Sequence, residues 1–275
     1  MSFYTSLSGL KAAETDLGAI SNNLANVGST GFKRSRAQFG DLFASSPTQS
    51  TKMTAGQGVR LNGVVQQFTQ GTLEASDKSL DLGIAGEGFF IVRGAPPRSE
   101  VTYTRNGAFG VDANRNVVDT IGSKLQVLPV DANGNVTSTA LSAAQDLVLP
   151  ANSPTDPTAT LANVSIGIDG LVTATYADGS TEMLGKVAMA SFTSVEGLRP
   201  IGDAHWQSTG ESGAPLVNTA TSGPLGSIRS GALERANVDV TEELVALISA
   251  QRNFQANAKA IETAKNMTQA VININ

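Results

Sequence analysis

Two segments at opposite ends of the chain have apolar residues at alternating spacings of three and four, and the residues between them lack this pattern. The spacing is typical of the narrow apolar seam of a coiled-coil helix. At the first end the seam consists of Leu10, Ala13, Leu17, Ile20, Leu24 and Val27. At the second end it consists of Val240, Leu244, Leu247, Phe254, Ala258 and Ile261. The pattern predicts one amphipathic helix at each end, and each helix needs a partner to bury its seam.

The first helix is predicted to be the weaker of the two. Gly9 and Gly18 lie inside it, and each costs about 1 kcal/mol of helix stability relative to Ala. The second helix begins after Asp239, which occupies the N-cap place of a capping box, and residues 239–275 contain no Gly or Pro. Both helices could pack on a β core of the same chain. Their narrow seams and their positions at opposite ends favour pairing with each other instead.

The residues between the helices predict short strands joined by turns. Strand-like runs occur at 81–85, 89–92, 101–104 and 186–192. Asn106-Gly107 predicts a hairpin turn, and the Asp-Gly pairs that end at Gly170 and Gly179 give the same signal. The polar segments 45–58 and 150–163 are expected to be a loop and a linker. The expected fold class is α+β, with paired terminal helices and a β-rich domain.

The composition excludes several classes of protein. A formal net charge of −5 argues against a binder of duplex nucleic acid, which needs a concentrated basic surface. Because the chain has no Cys and one His, it has no disulfide, no thiolate nucleophile and no Cys-based or two-His metal motif. No apolar run approaches the ~18 residues that span a bilayer, and residues 1–16 lack the basic and apolar regions of a secretory signal. We expect no membrane insertion and no cleaved signal peptide.

A short internal repeat at 111–117 and 130–136 begins like a calcium-binding EF-hand loop. Val117 and Val136 stand where that loop requires Gly, and Ser stands in place of the bidentate Glu in both copies. The repeat therefore predicts Asp- and Asn-rich turns between strands and no calcium site.

The chain shows no sequence signature of an enzyme. His205 has no sequence partner for general-base chemistry and is expected to be packed or at the surface. Gly83, Gly86 and Gly88 have the wrong spacing for a dinucleotide site and are expected in a tight β turn. We predict no catalytic, cofactor-binding or metal-binding residue.

Several ordered motifs carry a resemblance to a known family. Residues 21–27 read Ser-Asn-Asn-Leu-Ala-Asn-Val, and Thr-Gly-Phe-Lys follows at 30–33. In these motifs the sequence closely resembles the bacterial flagellar axial rod and hook proteins, and the matching residues are Asn22, Asn23, Asn26, Gly31 and Phe32. Further matching segments are 39–43, 71–73, 80–90, 103–109, 230–234, 237–244 and 251–257. The resemblance therefore extends over both ends of the chain.

The resemblance implies a structural subunit that is not an enzyme and uses no cofactor. It implies a homo-polymer in the form of a hollow helical tube with a central export channel. Residues 1–27 and 239–275 would form an inner helical domain, 28–75 and 223–238 an extended connecting segment, and 76–222 a β-rich outer domain. The subunit would leave the cell through the flagellar type III export apparatus without a cleaved signal, and its helices would order on assembly. Expected partners are the rod, hook-cap and hook-filament junction proteins.

The assembly residues expected on this basis lie in the two seams. They are Leu10, Leu17, Ile20, Leu24, Leu244, Leu247, Phe254 and Ile261. Residues 1–10 and 245–263 look more like hook proteins than rod proteins, and the insert after Phe43 is shorter than the stiffening insert typical of distal rods. The length of 275 residues favours the distal rod instead, because many hook proteins carry a further outer domain. We predict a hook subunit, with a distal or proximal rod subunit as the alternative.

A binding module is a second class of function that the sequence leaves open. A β-rich surface adhesin or carbohydrate binder would dock its helices on its own core and present aromatic platforms. Only 5% of the residues are aromatic, which gives this hypothesis little support. A hydrolase is a more remote alternative. Protease-sensitive ends around a resistant segment near 76–222 would indicate the axial subunit, because a binding module would protect its ends.

Overall fold

The computed structural model describes residues 2–43, 56–94, 100–154 and 156–272, with one helix near each end and strands between them. Helix α1 spans Ser2–Ala25 and helix α2 spans Val240–Ile272. The Asp239 carboxylate accepts hydrogen bonds from the backbone N–H groups of Thr241 (2.8 Å) and Glu242 (3.2 Å). The predicted N-cap is therefore present. Two terminal helices with strands between them confirm the predicted α+β fold class.

The strands follow one another closely along the chain. They are β1 (Ser35–Phe43), β2 (Gly56–Gln66), β3 (Leu73–Ala75), β4 (Leu82–Ala85), β5 (Phe89–Arg93), β6 (Val101–Thr104), β7 (Gly110–Val111), β8 (Val117–Val118), β9 (Lys124–Leu128), β10 (Gln145–Asp146), β11 (Leu161–Ile166), β12 (Leu171–Tyr176), β13 (Thr181–Ser191), β14 (Arg199–Gly202), β15 (His205–Gln207), β16 (Leu216–Thr219), β17 (Ser227–Ser230) and β18 (Ala232–Glu234). Contacts within the chain divide it into two compact units. The helical unit consists of residues 1–27, 34–67 and 238–275, and the β unit of residues 28–33 and 68–237.

The helical unit contains a β-hairpin in addition to the two helices. Strands β1 and β2 pair antiparallel, with Ala37 opposite Val64. Both strands contact α1, and Ala37 is buried. The segment 28–75, expected to be an extended connection, thus contains two paired strands that cover one side of α1. The polar loop predicted at 45–58 lies outside the described residues except for 56–58, which begin β2.

The β unit is built on a sheet of twelve described strands. Its main path runs β11-β12-β13-β9-β5-β6-β15-β14, with antiparallel pairing between neighbours. Two smaller pairs, β3 with β18 and β4 with β17, join the segment before the sheet to the segment after it. Edge-to-face aromatic contacts fill part of the core, where Phe89 packs against Phe68, Phe192 and Trp206.

The turn predictions had mixed outcomes. Gly170 and Gly179 have φ near +82° in the turns that connect β11 to β12 and β12 to β13, as predicted. The hairpin turn predicted at Asn106-Gly107 is wrong, because the preceding strand β6 pairs with β5 and β15 and not with the strand that follows. Gly107 instead lets the chain approach β4, and its carbonyl accepts a hydrogen bond from the Leu82 N–H at 2.9 Å. A Cβ at this position would lie 1.6 Å from the Leu82 carbonyl oxygen.

The two copies of the internal repeat form the same turn, as predicted. The Asp112 carboxylate accepts hydrogen bonds from the N–H groups of Asn114 and Asn116. The Asp131 carboxylate accepts them from the residues at the same offsets, Asn133 and Asn135. The Asn116 side chain, which donates to the Asp112 carboxylate at 2.9 Å, and these backbone N–H groups hold the pKa of Asp112 below its usual range. For Asp131 the backbone hydrogen bonds are the main cause of the lowered pKa. The segment expected as a linker at 150–163 is partly strand, since β11 begins at Leu161.

Candidate assembly surface

The helical unit brings α1 and α2 together, and most of the predicted seam residues lie on the covered sides of the two helices. On α1, Ile20 is buried, and the half-buried seam residues are Leu10, Leu17 and Leu24. On α2, the half-buried seam residues are Leu247, Phe254 and Ile261, and Ala250 beside them is buried. Intermediate exposure at so many leucines shows that one partner helix covers only part of each seam.

The helices run antiparallel, and two contacts define how they are aligned. Near the start of α1, a Cβ on Gly9 would lie 2.8 Å from the Asn257 side-chain oxygen, so the missing side chain allows a close approach. Near the end of α1, the Asn23 amide donates to the Glu243 carboxylate at 3.3 Å. Gly18, the other Gly in α1, has nothing within 4 Å of its Cβ position.

Leu244 and Val240 differ from the other predicted seam residues because they are exposed, at 43% and 41%. Val245 and Ile248 on the same first turns of α2 are also exposed. We call these four residues the open face of α2. Clustered exposed apolar side chains are typical of interaction sites, and the pairing with α1 leaves this cluster uncovered.

A buried polar cluster fixes the end of α1 against the start of β1 and of α2. Asn23 is 1% exposed, and its amide accepts from the Ser35 N–H (2.8 Å) and donates to the Ser35 carbonyl (2.9 Å). The Arg34 guanidinium forms ion pairs with Glu243 (2.6 Å) and Glu242 (3.1 Å) at the first turn of α2. We call Asn23, Arg34, Ser35 and Glu243 the root cluster. Its members satisfy buried groups that would otherwise be costly.

The remaining family-motif residues have separate roles near this point. Asn22 is exposed, and its carbonyl accepts hydrogen bonds from the backbone N–H (3.1 Å) and the side chain (2.9 Å) of Asn26. Phe32 is half-buried. Gly31 has φ +70°, and a Cβ there would lie 2.6 Å from the backbone of Arg105. Gly86 and Gly88 also have positive φ angles, which agrees with the β turn predicted there, whereas Gly83, expected in the same turn, lies in β4.

A second buried cluster lies in the β unit around Glu234, at the end of β18. Its carboxylate accepts hydrogen bonds from Lys33 Nζ (2.7 Å), the Gly71 N–H (2.8 Å) and an Arg105 guanidinium N–H (3.1 Å). Lys33 and Glu234 are fully buried. Loss of hydration on burial lowers the pKa of Lys33, although the Glu234 charge opposes this effect. Lys33 Nζ also donates to the Thr69 carbonyl at 2.7 Å, and the Asn237 amide donates to the same oxygen at 3.1 Å.

The family-motif segments contain Lys33, Glu234 and Glu243, but the sequence did not predict the ion pair of Lys33 with Glu234 or that of Arg34 with Glu243. The available signal was a charged residue in each family-motif segment that flanks a terminal helix, with opposite signs at the two ends. One sequence cannot show which cation meets which carboxylate.

The histidine of the chain lies in the β unit. His205 was expected to be packed or at the surface, and it is packed, with 1% exposure. Its two ring nitrogens contact the Asp119 carboxylate and the Asp203 carbonyl, each at 2.8 Å. No group of three or more His, Asp or Glu residues in the described ranges is placed to hold a metal ion. Among these same residues, no helix is long and apolar enough to cross a membrane.

Three regions of the chain match known protein families. Residues 3–33 match the family "Flagella basal body rod protein", residues 83–174 match "Flagellar hook protein FlgE/F/G D1 domain" and residues 229–274 match "Flagellar basal body rod FlgEFG protein C-terminal". The chain is 33% identical over 281 residues to the flagellar basal-body rod protein FlgG of Buchnera aphidicola subsp. Acyrthosiphon pisum, covering 98% of this chain and 97% of the relative. The chain belongs to the flagellar rod and hook protein family.

Both branches of this family are among the relatives. FlgG of Borreliella burgdorferi is 31% identical over 278 residues, covering 96% of this chain and 94% of the relative. The flagellar hook protein FlgE of Escherichia coli is 27% identical over 410 aligned positions, covering 100% of each chain. The crystal structure of Helicobacter pylori flagellar hook protein FlgE2 is a distant match, with a TM-score of 0.24, 14% identity and coverage of 56% and 43%, too low to compare domain arrangements. The chain is a structural subunit of the flagellar rod or hook.

The root cluster draws residues from two of the matched regions, and the cluster around Glu234 draws them from all three, because Arg105 lies in residues 83–174. Asn23 of the root cluster lies in the N-terminal match and Glu243 in the C-terminal one. Lys33 and Glu234 have the same relationship in the β unit. The family motifs at the two ends of the chain therefore meet in space, and they meet through charged and amide side chains.

Proposed function

We propose that this rod and hook family member is the subunit of the flagellar hook, the curved segment that transmits motor torque to the filament. Many copies would self-assemble into a hollow helical tube with a central channel for protein export. The observation that carries the assembly step is the open face of α2, which the chain's own α1 leaves exposed although its residues are apolar. Burial of such a face by a neighbouring copy is favourable, at roughly 1.5–3 kcal/mol for each large side chain.

Two features support the hook rather than the rod. Residues 1–10 and 245–263 resemble hook proteins, as described above. The insert that would stiffen a distal rod can occupy at most residues 44–55, because β1 ends at Phe43 and β2 begins at Gly56. A short insert favours a tube whose subunits slide past one another when it bends.

A flagellar rod subunit is the second candidate, and relative lengths favour it. The FlgG relatives align with this chain almost end to end, over 278 and 281 positions. The alignment with the hook protein FlgE extends to 410 positions, so that relative contains a large region that this chain lacks. A hook built from this chain would have a smaller outer part.

The proposal includes a cellular route and a set of partners. The subunit would be exported through the flagellar type III apparatus without a cleaved signal peptide. In the assembled flagellum it would contact the rod, the hook cap and the hook-filament junction proteins, with residues 76–222 as the outer domain. Residues 1–27 and 239–275 would line the channel.

Immunogold labelling of detergent-extracted flagella tests the proposal, with an antibody raised against residues 76–222. A strain that lacks the gene provides the control for antibody specificity, and the same strain carrying the gene on a plasmid shows whether the labelling returns with the gene. We expect gold along the curved segment outside the rings. Gold confined to the straight shaft would identify a rod subunit. Absence of gold from flagella of the complemented strain would contradict both candidates.

A further inference from the structure

The chain passes between the helical unit and the β unit four times, at 27/28, 33/34, 67/68 and 237/238. Three of these crossings meet at a single oxygen atom in the β unit, the carbonyl oxygen of Thr69, which follows the crossing at 67/68 and binds one residue next to each of two other crossings. The Thr69 carbonyl accepts from Lys33 Nζ at 2.7 Å and from the Asn237 amide at 3.1 Å. The Asn237 amide also donates to Thr69 Oγ1 at 2.8 Å.

The fourth crossing, at 27/28, is followed by Gly31, which binds Glu234. The Gly31 N–H donates to the Glu234 carbonyl at 2.8 Å, and the Glu234 carboxylate binds Lys33 and the Gly71 N–H. The segment 28–33, which follows α1, is thus bound to the segment 234–237, which precedes α2. All of these contacts lie within the β unit, so none of them requires α1 and α2 to be paired.

We propose that Lys33, Thr69, Glu234 and Asn237 form a clamp that holds the two helix-bearing ends of the chain side by side before the helices pair. The clamp makes the pairing of α1 with α2 a local event between two tethered segments, which raises their effective concentration. A weak helix such as α1, with two glycines, benefits most from this, because it cannot form stably alone.

The charges in the clamp favour a role in positioning over a role in stability. Two buried cations, Lys33 and Arg105, face the single carboxylate of Glu234. Arg105 Nε is buried without a hydrogen-bond partner among the described residues, and its guanidinium lies 5.3 Å from the centre of the Phe89 ring. Buried ion pairs of this kind are often no more stable than apolar replacements, but they accept few alternative geometries. The lowered pKa of Lys33 is a further sign that burial of this cation is costly.

Amide hydrogen exchange on the full-length, unpolymerised chain tests the clamp. The reporters are the N–H groups of Gly31 and Gly71, which bind Glu234, and those of β5 (Phe89–Arg93) report on the fold of the β unit. In the wild type we expect Gly31 and Gly71 to be protected even where α1 and α2 exchange rapidly. Exchange of Gly31 and Gly71 as fast as unprotected α1 amides would overturn the proposal.

Lys33→Met tests whether the ion pair holds the ends. We expect protection at Gly31 and Gly71 to fall by at least about tenfold, the loss of one charge-assisted hydrogen bond, while β5 keeps its protection and Lys33→Arg restores part of the loss. Lys78→Met, which removes an exposed lysine of the same unit, is the matched control. Unchanged protection at Gly31 in Lys33→Met would overturn the clamp. An equal loss in β5 would also overturn it, because Lys33 would then act only on the stability of the unit.

Asn237→Ala is a milder second variant, in case Lys33→Met does not fold. It removes the hydrogen bonds from Asn237 to Thr69 and leaves the buried ion pair of Lys33 and Glu234 intact. We expect faster exchange of the Arg235 N–H, which binds the Thr72 carbonyl at 2.9 Å within the β unit, and no change at Gly31. No change at either place would count against the clamp. The clamp itself does not depend on the proposed function, and only its role in polymer assembly rests on it. Exchange in the monomer is measured without a polymer, so a failed clamp and a failed hook assignment give different results.

Discussion

Lys33 and Arg34 are neighbours in the chain, but their side chains pair with carboxylates in different units. Lys33 binds Glu234 at 2.7 Å within the β unit, and Arg34 pairs with Glu243 at 2.6 Å within the helical unit. The two carboxylates are themselves only nine positions apart and lie on either side of the last crossing. Two consecutive cations in the segment after α1 thus match two acidic positions in the segment that leads into α2, one pair in each unit.

The buried position of Lys33 predicts a pH dependence of stability. Its pKa in the folded protein lies below the usual value of 10.5, so in the pH range between the two values the unfolded chain holds more protons. At lower pH the buried Lys33 is charged and lowers the free energy of unfolding. As the pH rises through this range the folded protein loses this proton first, and the free energy of unfolding increases. We expect the free energy of unfolding of the wild type to rise relative to that of Lys33→Met. Urea unfolding followed by the fluorescence of the buried Trp206 measures this difference. A difference that stays constant from neutral pH to pH 10.5 would contradict the prediction, and Lys78→Met provides the baseline.

Asn23 and Asn22 are adjacent residues of one motif, and we expect opposite results from their replacement. Asn23→Ala leaves the Ser35 N–H and carbonyl without their partner in a buried place, at a cost of about 2 kcal/mol. The critical concentration for polymerisation should rise by roughly thirtyfold as a result. Asn22→Ala removes an exposed side chain and should leave it nearly unchanged. Equal effects of the two variants in a sedimentation assay would show that the root cluster has no special role.

The two glycines of α1 are predicted to respond differently to Ala. At Gly18 the added methyl group meets nothing within 4 Å, so Gly18→Ala should stabilise the helix by about 1 kcal/mol. At Gly9 the methyl group would lie 2.8 Å from the Asn257 side chain, which must move away, so the gain should be smaller or lost. Far-UV circular dichroism of the monomer and the critical concentration of the polymer measure the two effects. A larger gain at Gly9 than at Gly18 would argue against the close approach of the helices.

Leu17→Asp should block polymer formation and leave the β unit folded. Leu17 lies in the α1 seam, and a charge there cannot be buried between helices without a partner. Electron microscopy detects the polymer, and Trp206 fluorescence reports on the β unit. Ser21→Asp, which introduces the same charge at an exposed position of α1, is the control. Normal filaments from Leu17→Asp would refute the assembly role of the seam.

Leu244→Asp tests the open face of α2 separately from the seam. The side chain is 43% exposed in the single chain, so the change should leave the helical content of the monomer unchanged. Polymerisation should nevertheless be weakened, because burial of a leucine by a neighbouring copy is worth roughly 1.5–3 kcal/mol. Unaltered polymer yield at limiting concentration would show that no neighbour covers this face.

The sequence predicted the elements of the fold better than the contacts between them. Apolar spacing identified both helices, and Asp239 identified the start of α2, because these signals depend on residues close together in the chain. The hairpin signal at Asn106-Gly107 failed because a distant strand, β4, takes the hydrogen bond of Gly107. The β1–β2 pair was missed because β1 has no alternating apolar pattern of its own.

The candidate site shows the same limit. The motif residues Asn22, Asn23 and Asn26 were known from the sequence, but only the structure separates the buried Asn23 from the exposed Asn22. Leu244 has seam spacing like Leu247, yet it lies outside the covered side of α2. Spacing places residues on one side of a helix to within a turn, and the choice between a helix of the same chain and a neighbouring copy depends on tertiary packing.

In the antiparallel alignment of the helices, the C-terminal end of α2 extends beyond the start of α1. Gly9 lies beside Asn257 and Asn23 beside Glu243, so the first described residue of α1, Ser2, lies level with about residue 264. Residues 265–272 of α2 then extend about 12 Å beyond it, at 1.5 Å per residue. Met267 and Ile272 are exposed on this overhang. The described part of α1 therefore leaves the last two turns of α2 uncovered, so the apolar surface of α2 continues past the end of the intramolecular helix pair.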